Sequence, residues 1–134
     1  MLFKNGEEFI WKQHSFARKS FLKAFKRKAP IQEWADRGLF TIVNGPSIDP
    51  RLLVEKLNEW SREYQIELVC ADGFRMDLLK PLLEEAGFEY EFLRNPGAIQ
   101  SKVAQIIEDG FANERFVFEG DNSMIWYTDN TYVK

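Results

Sequence analysis

One acidic residue stands at the end of an apolar run, in residues 66–75 of the sequence. The run is shorter than a typical helix and ends in Asp72-Gly73, as a buried strand ends before a turn. We therefore expect Asp72 to leave the sheet at the carboxyl end of a strand, where open α/β sheets place ligands and catalytic groups. One acid alone makes no enzyme. Asp72 is also a candidate N-cap for a helix that begins near Phe74, because aspartate is a preferred capping residue.

The second group of candidate functional residues is basic. Residues 1–32 have a net charge of +6, residues 33–134 have −9, and no acid lies between Lys12 and Lys28. Such a run is typical of a solvated face, and it is also typical of a surface that contacts phosphates. Arg75 and Arg94 follow predicted strands and would add to the attraction for phosphates. The candidates for phosphate contact in the run itself are Lys23, Lys26, Arg27 and Lys28.

The remaining reactive side chains have simpler interpretations. His14 is the only histidine and has no cysteine or histidine cluster around it, so neither a zinc site nor a histidine-based triad is predicted. Cys70 is the only cysteine, so no internal disulfide forms, and its place in an apolar strand predicts a buried thiol rather than a nucleophile. Four further acids are predicted to lie on the surface, with an approach to Asp72 as the alternative: Asp77, Glu119, Asp121 and Asp129.

Length and composition place these residues in one soluble domain, residues 1–134. A chain of 134 residues that is 45% hydrophobic is large enough to bury a core without a disulfide. Its start does not resemble a signal peptide, and no apolar run approaches the ~18 residues of a membrane helix. The sequence therefore predicts a cytoplasmic protein with no membrane partner.

The elements that would position the basic run come first in the chain. Strands at residues 2–4 and 8–12 flank Asn5-Gly6, the favoured pair for a two-residue hairpin turn. An amphipathic helical segment is then predicted to end before Pro30. Its apolar face is formed by Phe16, Phe21, Leu22 and Phe25. A short turn or helix at residues 31–37 and a strand at residues 39–43 complete this part.

The elements around Asp72 alternate between helix and strand. Asp49-Pro50 predicts a helix start, and residues 66–71 form the expected central strand. A helix that begins near Phe74 and is kinked or broken by Pro81 ends at Gly87. A strand at residues 90–93, a helix capped by Gly110 and a strand at residues 116–119 follow, whereas residues 123–127 are ambiguous. The order predicts one α/β domain with a mixed sheet and helices on its faces.

Seven short stretches of this chain, taken together, resemble the nuclease half of tailed-phage terminase large subunits. The likeness runs through almost the whole chain in matching order and spacing. The stretches are residues 28–39, Ile48-Asp49, residues 71–75, Gly87, residues 94–97, residues 121–124 and residues 126–130.

The resemblance implies an RNase H-like fold and a two-metal endodeoxyribonuclease that cuts concatemeric phage DNA during packaging. Its implied partners are double-stranded DNA, the terminase small subunit and the portal. Its implied cofactor is Mg²⁺ or Mn²⁺, held by converging carboxylates that activate a water and stabilise the leaving oxygen. On this chain only Asp72 matches a catalytic metal ligand of the family.

The chain also departs from the family pattern. It has no Walker-type motif and hence no ATPase half. The family's first catalytic aspartate would precede this chain and its last acidic ligand would follow it, so we expect weak metal binding and no appreciable DNA cleavage by the 134 residues alone. The alternative hypothesis is a non-catalytic DNA-binding or assembly module, a prophage remnant that uses residues 12–28.

Overall fold

The computed structural model describes residues 1–24 and 29–131, and of Pro96 the backbone only. The described residues form seven short strands and six helices, so the α/β class is as predicted, but the strands form three small sheets rather than the one mixed sheet that was expected. The chain divides into two compact units, Met1–Ser47 with Ala104–Lys134, and Ile48–Val103. None of the described helices is long and apolar enough to cross a membrane.

The first unit opens with the predicted hairpin. Strands β1 (Leu2–Asn5) and β2 (Glu8–Trp11) pair antiparallel, and the turn residues are Gly6 and Glu7, one position later than expected. Gly6 has a φ of 61° whereas Glu7 is not left-handed, which matches a turn with glycine at its first central position. The short strand Phe116–Val117, named β7 in chain order, pairs parallel with β2.

A second pair of strands replaces the start of the predicted amphipathic helix. Strand β3 (Ser15–Arg18) pairs parallel with β4 (Phe40–Val43), and helix α1 occupies only Lys19–Ala24. The helical spacing of the apolar residues was therefore misleading here, because backbone pairing with β4 outweighs local pattern. Phe25 lies outside the described residues. Helix α2 (Ile31–Asp36) falls within the predicted short turn or helix.

Aromatic side chains form the core of the first unit. Trp34 on α2 is only 2% exposed. Its ring centroid lies 5.8 Å from that of Trp126, 6.2 Å from that of Tyr127 and 6.5 Å from that of Phe40. Trp126 and Tyr127 belong to helix α6 (Asn122–Asp129), so the segment that was ambiguous in the sequence is helical.

The second unit contains helix α3 (Arg51–Trp60), strand β5 (Val69–Asp72), helix α4 (Met76–Ala86) and strand β6 (Tyr90–Leu93). Several predicted boundaries are confirmed. The Asp49 carboxylate accepts a hydrogen bond from the Arg51 amide at 2.9 Å at the start of α3. Gly87, with a φ of 76°, ends α4, and this helix continues through Pro81. Strand β6 has the predicted bounds.

Strand β5 differs from the prediction in length, position and burial. It begins at Val69 and pairs, among the described strands, with β6 alone, so it is not the central strand of a larger sheet. Val69 and Ala71 are half-buried whereas Cys70 and Asp72 are exposed. The predicted burial of the Cys70 thiol is therefore wrong, because a two-stranded sheet with one covered face exposes every second side chain.

Helix α5 (Pro96–Ala112) corrects the role assigned to Gly110. The helix runs through Gly110 to Ala112, so this glycine is not its cap. A Cβ at Gly110 would lie 2.5 Å from Cζ of Phe116. The glycine is therefore needed for the close approach of an aromatic ring to the helix backbone.

Candidate functional site

The two parallel strands of the second unit leave their sheet side by side. Asp72, the last residue of β5, is the register partner of Leu93, the last residue of β6. The Gly73 amide donates to the Leu93 carbonyl at 3.2 Å, and a Cβ at Gly73 would lie 3.3 Å from the same oxygen. This contact holds the two exit loops together. The predicted end of β6 is therefore correct, whereas β5 ends at Asp72, one residue later than expected.

The Asp72 carboxylate combines features of both roles considered for it. The residue is exposed, as expected for a ligand. One of its oxygens, Oδ1, accepts a hydrogen bond from the Phe74 amide at 3.0 Å. It does not cap a helix in the usual sense, because α4 begins at Met76 and Arg75 is its N-cap residue. The bond orients the exposed carboxylate.

Arg75 has an unusual backbone conformation. Its φ of 59° and ψ of 30° are left-handed, which costs a residue with a side chain about 1–2 kcal/mol. Its Nε atom lies 3.4 Å from Oδ1 of Asp77, and both side chains are more than half exposed. Strain at a solvent-facing loop beside a strand end is typical of functional positions.

Arg94 directly follows the last residue of β6, whereas Arg75 is the third residue after β5. It is exposed, and the next residue, Asn95, accepts a hydrogen bond from the Ala98 amide at 3.2 Å. Asn95 thereby caps α5, whose first residue is Pro96. The exit of β6 is thus a short, fixed connection that holds Arg94 next to the exit of β5.

The four further acidic candidates differ in their surroundings. Among residues 1–24 and 29–131, no three histidine, cysteine or acidic side chains form a group suited to a metal ion. Asp77 is exposed in the same unit as Asp72. Of the other three candidates, Glu119 pairs with Lys12 at 3.4 Å, Asp121 is buried, and Asp129 is exposed.

Only part of the basic run, residues 12–28, lies within the described residues. The Arg18 guanidinium donates to the Pro46 carbonyl at 2.7 Å, so it is engaged within the fold. Lys19 and Lys23 are exposed on α1. Lys26, Arg27 and Lys28 lie outside the described residues. The structure therefore places only Lys23 of the four candidates, on the surface where phosphate contact is feasible.

His14 is tied into the first unit. Its Nδ1 lies 3.1 Å from the Gly38 carbonyl oxygen and its Nε2 lies 2.7 Å from Oγ1 of Thr41. Both ring nitrogens therefore have hydrogen-bond partners that fix the strand β4 beside residue 14.

A buried polar network in the first unit was missed by the sequence interpretation. Asp121, predicted on the surface, is 7% exposed and caps α6: its Oδ1 accepts from the amides of Ser123 and Met124 and from the Ser123 hydroxyl. The Gln13 amide donates to Ser123 Oγ. The N-cap was detectable, since Asp121 precedes a helix, but the contact with Gln13 joins residues far apart in the chain.

The network ends at a cavity. The Ser15 hydroxyl donates to Gln13 Oε1 at 3.0 Å, and its oxygen lies 3.2 Å from the Tyr127 hydroxyl oxygen. Ser15 and Tyr127 line a cavity of about 310 Å³ whose other walls are apolar.

Comparison of the chain with models of protein families, with curated proteins and with solved structures gives no match.

Proposed function

We propose that this chain is a DNA-contacting, nuclease-type domain of the kind found in tailed-phage terminase large subunits. The observation that carries the proposal is the joint exit of β5 and β6, where the exposed residue Asp72 ends β5 and two exposed arginines, Arg75 and Arg94, lie on the loops that leave the two strands. The proposal includes the RNase H-like fold that the resemblance implies. The hairpin β1–β2 and the parallel pairs β3–β4 and β5–β6 support it.

The residues at this edge suit a phosphodiester. Arginine binds phosphate oxygens through paired N–H groups, so Arg75 and Arg94 would hold the DNA backbone without reading bases. Asp72 supplies hard oxygen ligands for a Mg²⁺ or Mn²⁺ ion, and the hydrogen bond from the Phe74 amide holds its carboxylate in one orientation. A bound divalent cation would supply polarisation of a phosphoryl oxygen and an activated water. Asp72 alone makes this a weak metal site, so we expect no appreciable cleavage by the chain on its own.

The second candidate is a DNA-binding or assembly module that needs no metal. The exposed lysines on α1, Lys19 and Lys23, favour it, because they continue a run of cations into residues 25–28. In this case binding depends on salt but not on divalent ions.

Fluorescence anisotropy of a labelled DNA duplex separates the two. If Asp72 holds a cation against the phosphate, affinity falls when EDTA replaces Mg²⁺, because the bare carboxylate repels DNA. Asp72→Asn should then bind DNA equally with Mg²⁺ and with EDTA. If EDTA leaves wild-type affinity unchanged, the metal-free module is correct. If no duplex binding occurs at low salt, both functions are wrong.

A charge-matched pair of variants tests the basic run. Neutralising Lys23, Lys26, Arg27 and Lys28 to glutamine should flatten the salt dependence by about 0.9 log units per lost phosphate contact. The control neutralises four exposed cations elsewhere: Lys4, Arg62, Lys80 and Lys102. Equal salt slopes in the two variants would show that the run is only a solvated face.

A further inference from the structure

The cavity of the first unit has a composition suited to a small ligand. Its volume of about 310 Å³ lies within the range of pockets that hold small molecules. Aromatic rings of Trp34, Phe40, Trp126 and Tyr127 form much of its wall. Flat aromatic molecules pack well against such rings in stacked or edge-on arrangements.

The direction of the hydrogen bonds defines the polar end of this cavity. The Ser15 hydroxyl has one proton, which it donates to Gln13 Oε1. The contact of 3.2 Å between Ser15 Oγ and the Tyr127 hydroxyl must therefore be a bond that Tyr127 donates. The Tyr127 oxygen keeps its lone pairs, so the cavity wall presents a hydrogen-bond acceptor.

The rest of the network fixes that direction. The Gln13 amide nitrogen donates to Ser123 Oγ, and the Ser123 hydroxyl donates to the Asp121 carboxylate. Asp121 is 7% exposed and Ser123 is fully buried. Every donor in this series of hydrogen bonds, from Tyr127 to Ser123, thus points away from the cavity and toward the buried Asp121. Hydrogen bonds aligned in this way strengthen one another.

We propose that this cavity binds a small planar aromatic molecule that carries one hydrogen-bond donor, and that the donor bonds to the Tyr127 oxygen. The stacked rings supply the apolar contact and the acceptor supplies the orientation. This site belongs to the first unit, and none of the side chains proposed to contact DNA lines it.

Three probes of nearly equal shape test the proposal: indole carries an N–H donor, benzofuran carries an acceptor oxygen, and indene carries neither. Each is titrated into the full chain while the indole N–H resonances of Trp34 and Trp126 are followed by NMR. Indole should bind saturably, with an affinity about five- to tenfold above that of indene, the effect of one hydrogen bond. Benzofuran should show no advantage over indene.

Two variants locate the acceptor. Tyr127→Phe should remove the preference for indole while indene still binds. Ser15→Ala frees the Tyr127 proton, so benzofuran should gain affinity relative to indene, a reversal that a general loss of packing does not produce. Ala17→Leu, which places bulk on the cavity wall formed by β3, should weaken all three probes.

The proposal is wrong if indole and indene bind wild type equally, if no probe binds saturably, or if the shifts occur away from Trp34 and Trp126. Should Tyr127→Phe fail to fold, the benzofuran response of Ser15→Ala decides alone: no gain would overturn the assigned direction of the bonds.

Discussion

Asp72 and Leu93 are register partners at the ends of two parallel strands. The pairing brings the loop that holds Arg75 next to the loop that holds Arg94. Parallel strands end at the same side of their sheet. The loops that follow β5 and β6, some twenty residues apart in sequence, therefore contribute to one small surface. This surface is where the proposed contact with DNA phosphates lies.

Replacing Arg75 should have opposite effects on stability and on DNA binding. Replacing it with glycine relieves the left-handed strain, and we expect the free energy of unfolding to rise by about 0.5–1 kcal/mol. The loss of the guanidinium should weaken duplex binding at the same time. Urea unfolding and duplex anisotropy measure the two effects.

Glu114→Gly is the matched control for this change, because Glu114 is also left-handed, with a φ of 53°, and lies in the other unit. It should gain a similar stability without weaker DNA binding. If Arg75→Gly binds DNA as tightly as wild type, the Arg75 side chain has no role at this surface.

Asp121 should be important for stability. Its Oδ1 accepts three hydrogen bonds at the start of α6, so Asp121→Ala should lower the free energy of unfolding by about 1–3 kcal/mol. Asp121→Asn retains an acceptor oxygen and should lose less. Asp129→Ala, an exposed acid at the end of the same helix, should change stability by less than about 0.5 kcal/mol. Equal effects of Asp121→Ala and Asp129→Ala in denaturant melts would refute the capping role.

Gly110 should not tolerate a side chain. A methyl group there meets the Phe116 ring, which is held by edge or tilted contacts with Phe9, Trp11 and Phe111. We expect Gly110→Ala to destabilise the protein by about 1–3 kcal/mol. Gly97→Ala in the same helix meets only Asn95 Oδ1 at 3.8 Å and should be neutral or stabilising. Thermal melts that rank the two variants in the opposite order would contradict this packing.

The ionisation of Tyr90 should depend on Glu84. The Tyr90 hydroxyl donates to Glu84 Oε1 at 2.6 Å, and this hydrogen bond, together with the nearby negative charge, raises the pKa of Tyr90 above its ordinary value of 10.0. The protonated phenol is favoured in the folded state, so its contribution to stability is complete below about pH 10 and is lost as pH rises through the raised pKa. Glu84→Gln should lower the pKa of Tyr90. The ultraviolet absorbance of tyrosinate measures this pKa, with Tyr90→Phe as the reference that lacks the Tyr90 signal. If Glu84→Gln leaves the titration of Tyr90 unchanged, the hydrogen bond between Tyr90 and Glu84 is excluded.

Local patterns predicted the elements whose boundaries depend on one or two residues. Asp49-Pro50 and Gly87 mark helix ends through their own backbone preferences, and β6 is bounded on both sides by turn residues. Asp72 was correctly placed at a strand end for the same reason. Each of these features is set within a few residues of chain.

Features set by distant contacts were not predictable in this way. Ser15 to Arg18 form a strand because β4 lies beside them, although their apolar spacing favours a helix. Cys70 is exposed because it lies on the uncovered face of its sheet. The link between Gln13 and Ser123 spans 110 residues, so no local pattern indicates it.

The most direct test of the proposed function is the position of a bound Mn²⁺ ion. In a Mn²⁺ titration of the ¹⁵N-labelled chain, paramagnetic broadening should appear first at the amides of Gly73, Phe74 and Arg94, and Asp72→Asn should abolish this pattern. The account is contradicted if the broadening centres elsewhere, or if Asp72→Asn leaves it unchanged.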